Sequence, residues 1–283
     1  MHNMRMFSET GDLTRLLLFA LAGLIFIAGT TACLGFGVLV QTRRLTPSLP
    51  AIRRLKHTPF SMLHVQVAMA VTLFFALTAA LQTPSEEAPP EAALIIGPLL
   101  YAAMAAAAIL FSLFHSRASF RRAFLGRRGS AWVAFKKGLL YGIAAIPPVI
   151  VISMCVNTAL ETLGLETQQQ AVFDWLTDDT MSLGIRLFLM ASAVLIAPIS
   201  EELLFRGILF NVLLKKRPFI FAALLSGFYF ALVHLHMPTF LPLLALSVAF
   251  SAGYAATGSI ITPIIMHTLF NLSSLIFYFS GPA

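Results

Sequence analysis

Ala197-Pro198-Ile199-Ser200-Glu201-Glu202-Leu203-Leu204-Phe205-Arg206-Gly207 lies inside an apolar run reaching from about residue 183 to residue 213. Two adjacent carboxylates and an arginine at membrane depth cost about 2.5–3.5 kcal/mol each on insertion scales. Such groups are retained where they pair with one another or carry chemistry. The run is too long for one straight crossing, and Pro198 removes a helix hydrogen bond within it. A broken helix is expected here, with both glutamates just after the break, lining a cavity enclosed by protein.

The rest of the chain sets the context. Of its 283 residues, 58% are hydrophobic and only 11% charged, and the mean hydropathy is +0.86. A water-soluble domain cannot hide that much apolar surface. Eight apolar runs have the length of a membrane crossing: about 16–40, 60–81, 92–114, 139–160, 183–213, 218–234, 240–257 and 261–280. The fold class expected is therefore all-α, a polytopic membrane protein of about eight transmembrane helices, some of them broken around the active site. The first run is longer than the ~7–15 apolar residues of a signal peptide core, and Arg43 and Arg44 follow it. It reads as a retained span. No soluble domain separates out; residues 1–182 carry no recognisable motif, and residues 183–280 hold every polar constellation of interest.

The net charge is +7, with the basic residues gathered in alternate loops. Arg43, Arg44, Arg53, Arg54 and Lys56 fill the first, seven basic residues from Arg117 to Lys137 the third, and Lys215, Lys216 and Arg217 the fifth. The intervening loops are acidic, with Glu86, Glu87 and Glu91 in one and Glu161, Glu166, Asp174, Asp178 and Asp179 in the other. By the positive-inside rule the basic loops are cytoplasmic. Anionic lipid headgroups account for the basic charge, and no nucleic-acid partner is expected. Cys33 and Cys155 both fall in apolar runs, so neither a disulfide framework nor a cysteine metal site is indicated.

Within residues 183–280, helical phase sorts the polar groups. Glu202 and Arg206 are four residues apart and share a helix face, whereas Glu201 is turned about 100° from Glu202. Arg206 is expected to neutralise Glu202 and to leave Glu201 free as a base, facing His234. The competing reading is one buried ion cluster that fixes helix packing. His234 follows Phe230 by four residues, and a carboxylate beside it would fix one tautomer and help orient a water. His267 and Asn271 again stand four apart and can offer two donors to a developing oxyanion; equally, they can form an interhelical hydrogen-bond pair. Gly227 and Gly253, isolated in apolar runs, read as close helix contacts. Counted from the basic loops, His267 lies shallower than Glu201 and His234 by roughly 10 Å at 1.5 Å per residue. Breaks at Pro198 and around 257–263 would bring the three level.

Glu-Glu-x-x-x-Arg, Phe-x-x-x-His and His-x-x-x-Asn, in that order, resemble the CPBP family of intramembrane proteases, which includes type II CAAX prenyl endopeptidases and lysostaphin resistance protein A-like members. The surrounding residues Ala197 to Gly207 and Gly258-Ser259-Ile260-Ile261-Thr262-Pro263-Ile264-Ile265-Met266-His267 carry the same likeness. The resemblance implies an intramembrane endopeptidase; the substrate expected is a membrane-associated or prenylated-type protein, although the motifs themselves do not imply prenylation, and the expected location is the bacterial inner membrane. It implies Glu201 and His234 activating water, His267 and Asn271 stabilising the oxyanion, and Glu202 and Arg206 in support. Two mechanisms stay open: a Zn2+ site built from Glu201, His234 and His267, or a metal-free glutamate mechanism. The alternatives are a catalytically idle scaffold of the same fold and a proton-coupled transporter. A transporter predicts internal repeats, which the chain does not display.

Overall fold

A computed structural model describes residues 55–56, 59–81, 91–115, 131–165, 171–178 and 180–280. The expected span at 16–40 and most of the basic residues of the first and third loops lie outside these. Among the described residues all regular structure is helical: α1 Met62–Leu81, α2 Glu91–His115, α3 Ala131–Thr162, α4 Ala171–Thr177, α5 Leu183–Lys216, α6 Phe219–Leu232, α7 Met237–Thr257 and α8 Ile261–Ser280. Seven of the eight expected spans thus correspond to helices. Five of the described helices, α2, α3, α5, α7 and α8, are long and apolar enough to cross a membrane.

The polarity of the surface is inverted relative to a soluble protein. Phe114, Leu63, Leu183 and Phe277 are exposed, whereas Glu202, Arg206, Asn211, Ser247 and Thr262 are completely buried. Lipid can cover the former; only protein can satisfy the latter. The chain is an integral membrane protein.

α3 is longer than expected, beginning at Ala131. Its 32 residues reach about 48 Å at 1.5 Å per residue, well beyond a hydrocarbon core of about 30 Å. The Trp132 and Phe135 rings stack at 5.4 Å, and the Lys136 ammonium lies 5.7 Å from the Trp132 ring centre. An aromatic pair with a snorkelling lysine suits the headgroup boundary. Opposite this end, α4 packs Phe173 and Leu176 against Met181, Ile185, Leu189 and Leu275. The α4–α5 turn is closed by Asp178, which accepts from the Thr180 hydroxyl at 2.7 Å and its N–H at 2.8 Å. Those hydrogen bonds hold the exposed carboxyl below the usual range.

α7 and α8 are joined at Gly258, which is left-handed (φ 67°) as suits a helix C-terminal glycine. The turn is buried rather than solvated. Thr262 donates to the Ala134 carbonyl of α3 at 3.1 Å, and Thr257 donates to Thr262 at 2.9 Å. This is the helix interruption expected around 257–263.

Close approach in the bundle depends on glycines. A Cβ on Gly253 would stand 2.6 Å from Met266 Sδ, and one on Gly227 3.0 Å from Leu244, which bears out both as contact points. Gly138 and Gly142 of α3, not singled out in the sequence, are as tight: added Cβ atoms would meet Ile265 at 2.7 Å and the Met266 Cα at 3.1 Å. Because the second obstacle is backbone, Gly142→Leu is expected to force α3 off α8. The expected loss is at least the about 1–3 kcal/mol of an overpacked core, seen as a lower melting temperature in detergent; unchanged melting would show that the α3–α8 seam is loose.

Candidate active site

α5 does not break at Pro198. It continues from Leu183 to Lys216 by passing through two π-helical stretches, Ser192–Ile196 and Leu203–Phe210. The expectation of a broken helix is corrected here, and the reason is local. Proline cannot donate to the carbonyl four residues back, and its ring crowds that carbonyl. The wider π-turn relieves the crowding: Ala197 N–H reaches back five residues to Ser192. The carbonyls four and five residues before Pro198 are Val194 and Ala193. Both are taken by α8: Thr268 donates to Val194 at 3.0 Å and Asn271 donates to Ala193 at 2.7 Å.

The turn after Pro198 carries the glutamates. Arg206 Nη1 donates to Glu202 Oε1 at 2.9 Å, with both side chains fully buried. The sequence phase argument for this pair is met. Arg206 Nη2 reaches across to α7, donating to the Ser247 hydroxyl at 2.5 Å and the Ser247 carbonyl at 3.0 Å. Its guanidinium lies between the Phe230 and Phe250 rings, 5.0 and 5.1 Å from their centres. Two aromatic faces add cation–π attraction in a site without water screening.

His267 joins this cluster from α8. Its Nδ1 lies 3.0 Å from Glu202 Oε1, and its Nε2 lies 3.9 Å from Glu201 Oε2. A carboxylate only accepts, so Nδ1 carries the proton toward Glu202. The ring stacks on Phe250 at 5.0 Å and meets the Phe230 ring edge-on at 5.8 Å. His267 therefore stands level with Glu202, and the depth difference counted along the sequence has vanished. The α7–α8 turn at the buried Gly258 sets α8 so that His267 meets Glu202; α5 itself needs no break.

Glu201 differs from its neighbour. Its side chain is 14% exposed, against 0% for Glu202. Its Oε2, like that of Glu202, is buried without a hydrogen-bond partner, since 3.9 Å to His267 is too long for one. It lies on α5 where α2 packs, within electrostatic reach of Tyr101.

His234 makes no ion pair with Glu201; its ring is held from its own helix. Its Nδ1 donates to the Phe230 carbonyl at 2.6 Å, which leaves Nε2 as an acceptor. Its ring is 4.8 Å from that of Phe230. The residue against Glu201 is His267, and His234 connects to the cluster through Phe230. His234 sits at the end of α6, whose 14 residues span only about 21 Å, so the α6–α7 turn ends inside the bundle's length. Leu235 follows in the left-handed region (φ 48°), a costly conformation for a non-glycine residue. It swings the chain between His234 and His236, and His236 turns to Thr239 at 3.0 Å.

Among the described residues no three His, Cys, Asp or Glu side chains converge as metal ligands. Glu201, His234 and His267 thus do not fit a zinc site in this geometry.

Residues 183–273 match the family described as type II CAAX prenyl endopeptidase Rce1-like. "Putative membrane peptidase YdiL" of Bacillus subtilis (strain 168) is 35% identical over 88 residues, covering 31% of this chain and 36% of that protein. The match thus spans about a third of that relative's length. No solved structure matches. The Rce1-like segment contains all six polar residues singled out in the sequence. It also contains three that phase reasoning passed over: Ser247, Phe250 and Thr268. Thr268 is adjacent to His267, but nothing in a local pattern announces that its partner is a carbonyl 74 positions away.

Proposed function

We propose that the chain is an intramembrane endopeptidase and that Glu201 is its general base. The observation that carries this reading is the inequality of the two glutamates. Glu202 is neutralised by Arg206 and held by His267. Each keeps a buried Oε2 without a hydrogen-bond partner, but Glu201 has its ion-pair contact only at 3.9 Å, to His267 Nε2, and is 14% exposed against 0% for Glu202. The Rce1-like match and the membrane peptidase relative support the same class of activity.

In this mechanism Glu201 takes a proton from water as the hydroxide oxygen bonds to the scissile carbonyl carbon. The carbonyl π electrons move to oxygen. Asn271 spends one amide hydrogen on Ala193, which orients the other as a donor to that oxyanion. His234 accepts through Nε2 and helps hold the attacking water. The tetrahedral intermediate then collapses, the C–N bond breaks, and Glu201 returns its proton to the leaving amine. The products are a free carboxyl and a free amine, with Glu201 again a carboxylate. His267 and Glu202–Arg206 hold Glu201 in place. Because the donor set does not fit a metal, no step is routed through one. The substrate class proposed is a membrane-associated protein segment, prenylated-type substrates included, since the site is walled by helices with lipid-facing flanks.

The test is cleavage of membrane-anchored reporter peptides by the purified protein in liposomes prepared in H2(18)O. Hydrolysis should place one 18O in each new C-terminal carboxyl. Failure to cleave any of a broad panel, by protein that is folded and correctly inserted, would favour the idle scaffold.

A further inference from the structure

We infer that Thr268 is a positioning residue of this site, acting with Asn271 as a clamp on two consecutive carbonyls of the π-turn before Pro198, one of which the proline leaves without a donor. The statement about the clamp rests on the geometry of α5 and α8; its consequence for turnover rests on the peptidase reading.

Four observations converge. Pro198 has no N–H to offer Val194 or Ala193. The backbone before it is already widened into a π-turn, Ser192–Ile196. The Val194 and Ala193 carbonyls each receive a side-chain donor from α8, Thr268 at 3.0 Å and Asn271 at 2.7 Å. And the residue preceding Thr268 is His267, whose two ring nitrogens face Glu202 and Glu201.

The chemistry connects them. In a lipid-embedded bundle an unsatisfied carbonyl is costly, so a freed one must find a donor from a neighbouring helix. Here both donors come from one helix, three residues apart, and meet two consecutive carbonyls. Two such bonds fix both the height and the rotation of the π-turn against α8; one alone would leave rotation free. The turn carrying Glu201 and Glu202 begins immediately after it, at Ala197. Adjacent residues on a helix diverge by about 100°, so both carboxylates can address one imidazole only over a narrow range of rotation. The clamp selects that rotation. His267 and the clamp share α8, so any slip of α5 would move both glutamates relative to His267 together. Pro198 is then a component of the site: it frees one of the two carbonyls by which α8 grips α5.

The experiment is a double-mutant cycle with a spectroscopic readout, neither of which requires a substrate. Thr268→Val keeps the shape and removes the donor; Thr268→Ser keeps the donor. Each is made in the wild-type and Pro198→Ala backgrounds, and unfolding is measured in detergent or bicelles. In the wild-type background Thr268→Val is expected to lower the folded-to-unfolded ratio on the order of tenfold, the effect of stranding one buried carbonyl. In Pro198→Ala, where a backbone N–H is restored, the same change is expected to cost less than half as much on a logarithmic scale. Equal costs in the two backgrounds would overturn the clamp.

The second readout is the pair of 15N resonances of the His267 ring. Thr268→Val should shift them and Thr268→Ser should leave them near wild type. Tyr229→Phe, which removes α6–α1 hydrogen bonds to Thr72 and Met69, is a control for general destabilisation and should not shift them. His267 resonances indifferent to Thr268→Val, or moved as much by Tyr229→Phe, would reduce Thr268 to ordinary packing. If the cycle and the resonances behave as expected while the wild-type protein cleaves nothing, the clamp stands and the peptidase reading falls.

Discussion

Glu201→Gln is expected to abolish peptide cleavage while leaving the protein folded. The substitution keeps the size of the side chain and removes the base. General base catalysis contributes about 10²–10⁴-fold, so residual turnover should fall by at least two orders of magnitude. Stability should change little, because the Glu201 Oε2 makes no hydrogen bond and its carboxylate lies at 3.9 Å from the nearest histidine nitrogen. Cleavage of a reporter in liposomes and melting in detergent are measured on the same preparation. Wild-type turnover in a folded Glu201→Gln protein would falsify the assignment of the base. Lost turnover accompanied by lost folding would instead make Glu201 a member of the structural cluster.

Glu202→Gln should have the opposite signature: a large loss of stability. Arg206 is completely buried and its charge is balanced by Glu202. Removing one partner of a buried pair leaves an uncompensated charge, at a cost of about 3–5 kcal/mol. The hydroxyl and carbonyl of Ser247 and the two phenylalanine faces soften that cost without cancelling a full charge. Combining Glu202→Gln with Arg206→Met should recover much of it, since the stranded cation is gone and an unbranched apolar side chain fills the Phe230–Phe250 slot. Denaturant or steric-trap unfolding of the two single variants and the double variant measures the coupling. Additive losses would mean that Arg206 is neutralised elsewhere. The two glutamates, adjacent in sequence, are thus expected to separate completely, one into chemistry and one into folding.

The separation was partly legible beforehand. The Glu202–Arg206 pair is an i,i+4 relation within one helix, and helical phase alone identifies it. The same holds for the apolar helices. Their hydropathy is written residue by residue, and the expected ends at 81, 114, 257 and 261 fall within one residue of those observed. The isolated glycines Gly227 and Gly253 were also readable as contacts. These features depend on neighbours a few positions away, so the order of residues is enough to determine them.

What the chain order could not determine is where separate helices meet. His267 rather than His234 stands against Glu201, because the α7–α8 turn at the buried Gly258 sets α8 so that His267 meets Glu202, 65 positions earlier. Helix length gave His267 a shallower place, since counting residues assumes that every helix begins at the membrane surface. Pro198 was read as a break because the local rule sees a missing donor; α8 supplies Thr268 and Asn271 instead, and α5 runs on through a π-turn. Asn271, read as a donor to substrate or to a neighbouring helix, has one amide hydrogen committed to a backbone carbonyl. Where the described apolar helices lie, and which face of α5 carries the buried charge, follow from hydropathy and periodicity alone; the short α4 was not legible this way. Which histidine the glutamates face, and how α5 survives its proline, are decided by packing between helices, because a bilayer offers a freed carbonyl or a buried charge no partner except another part of the protein.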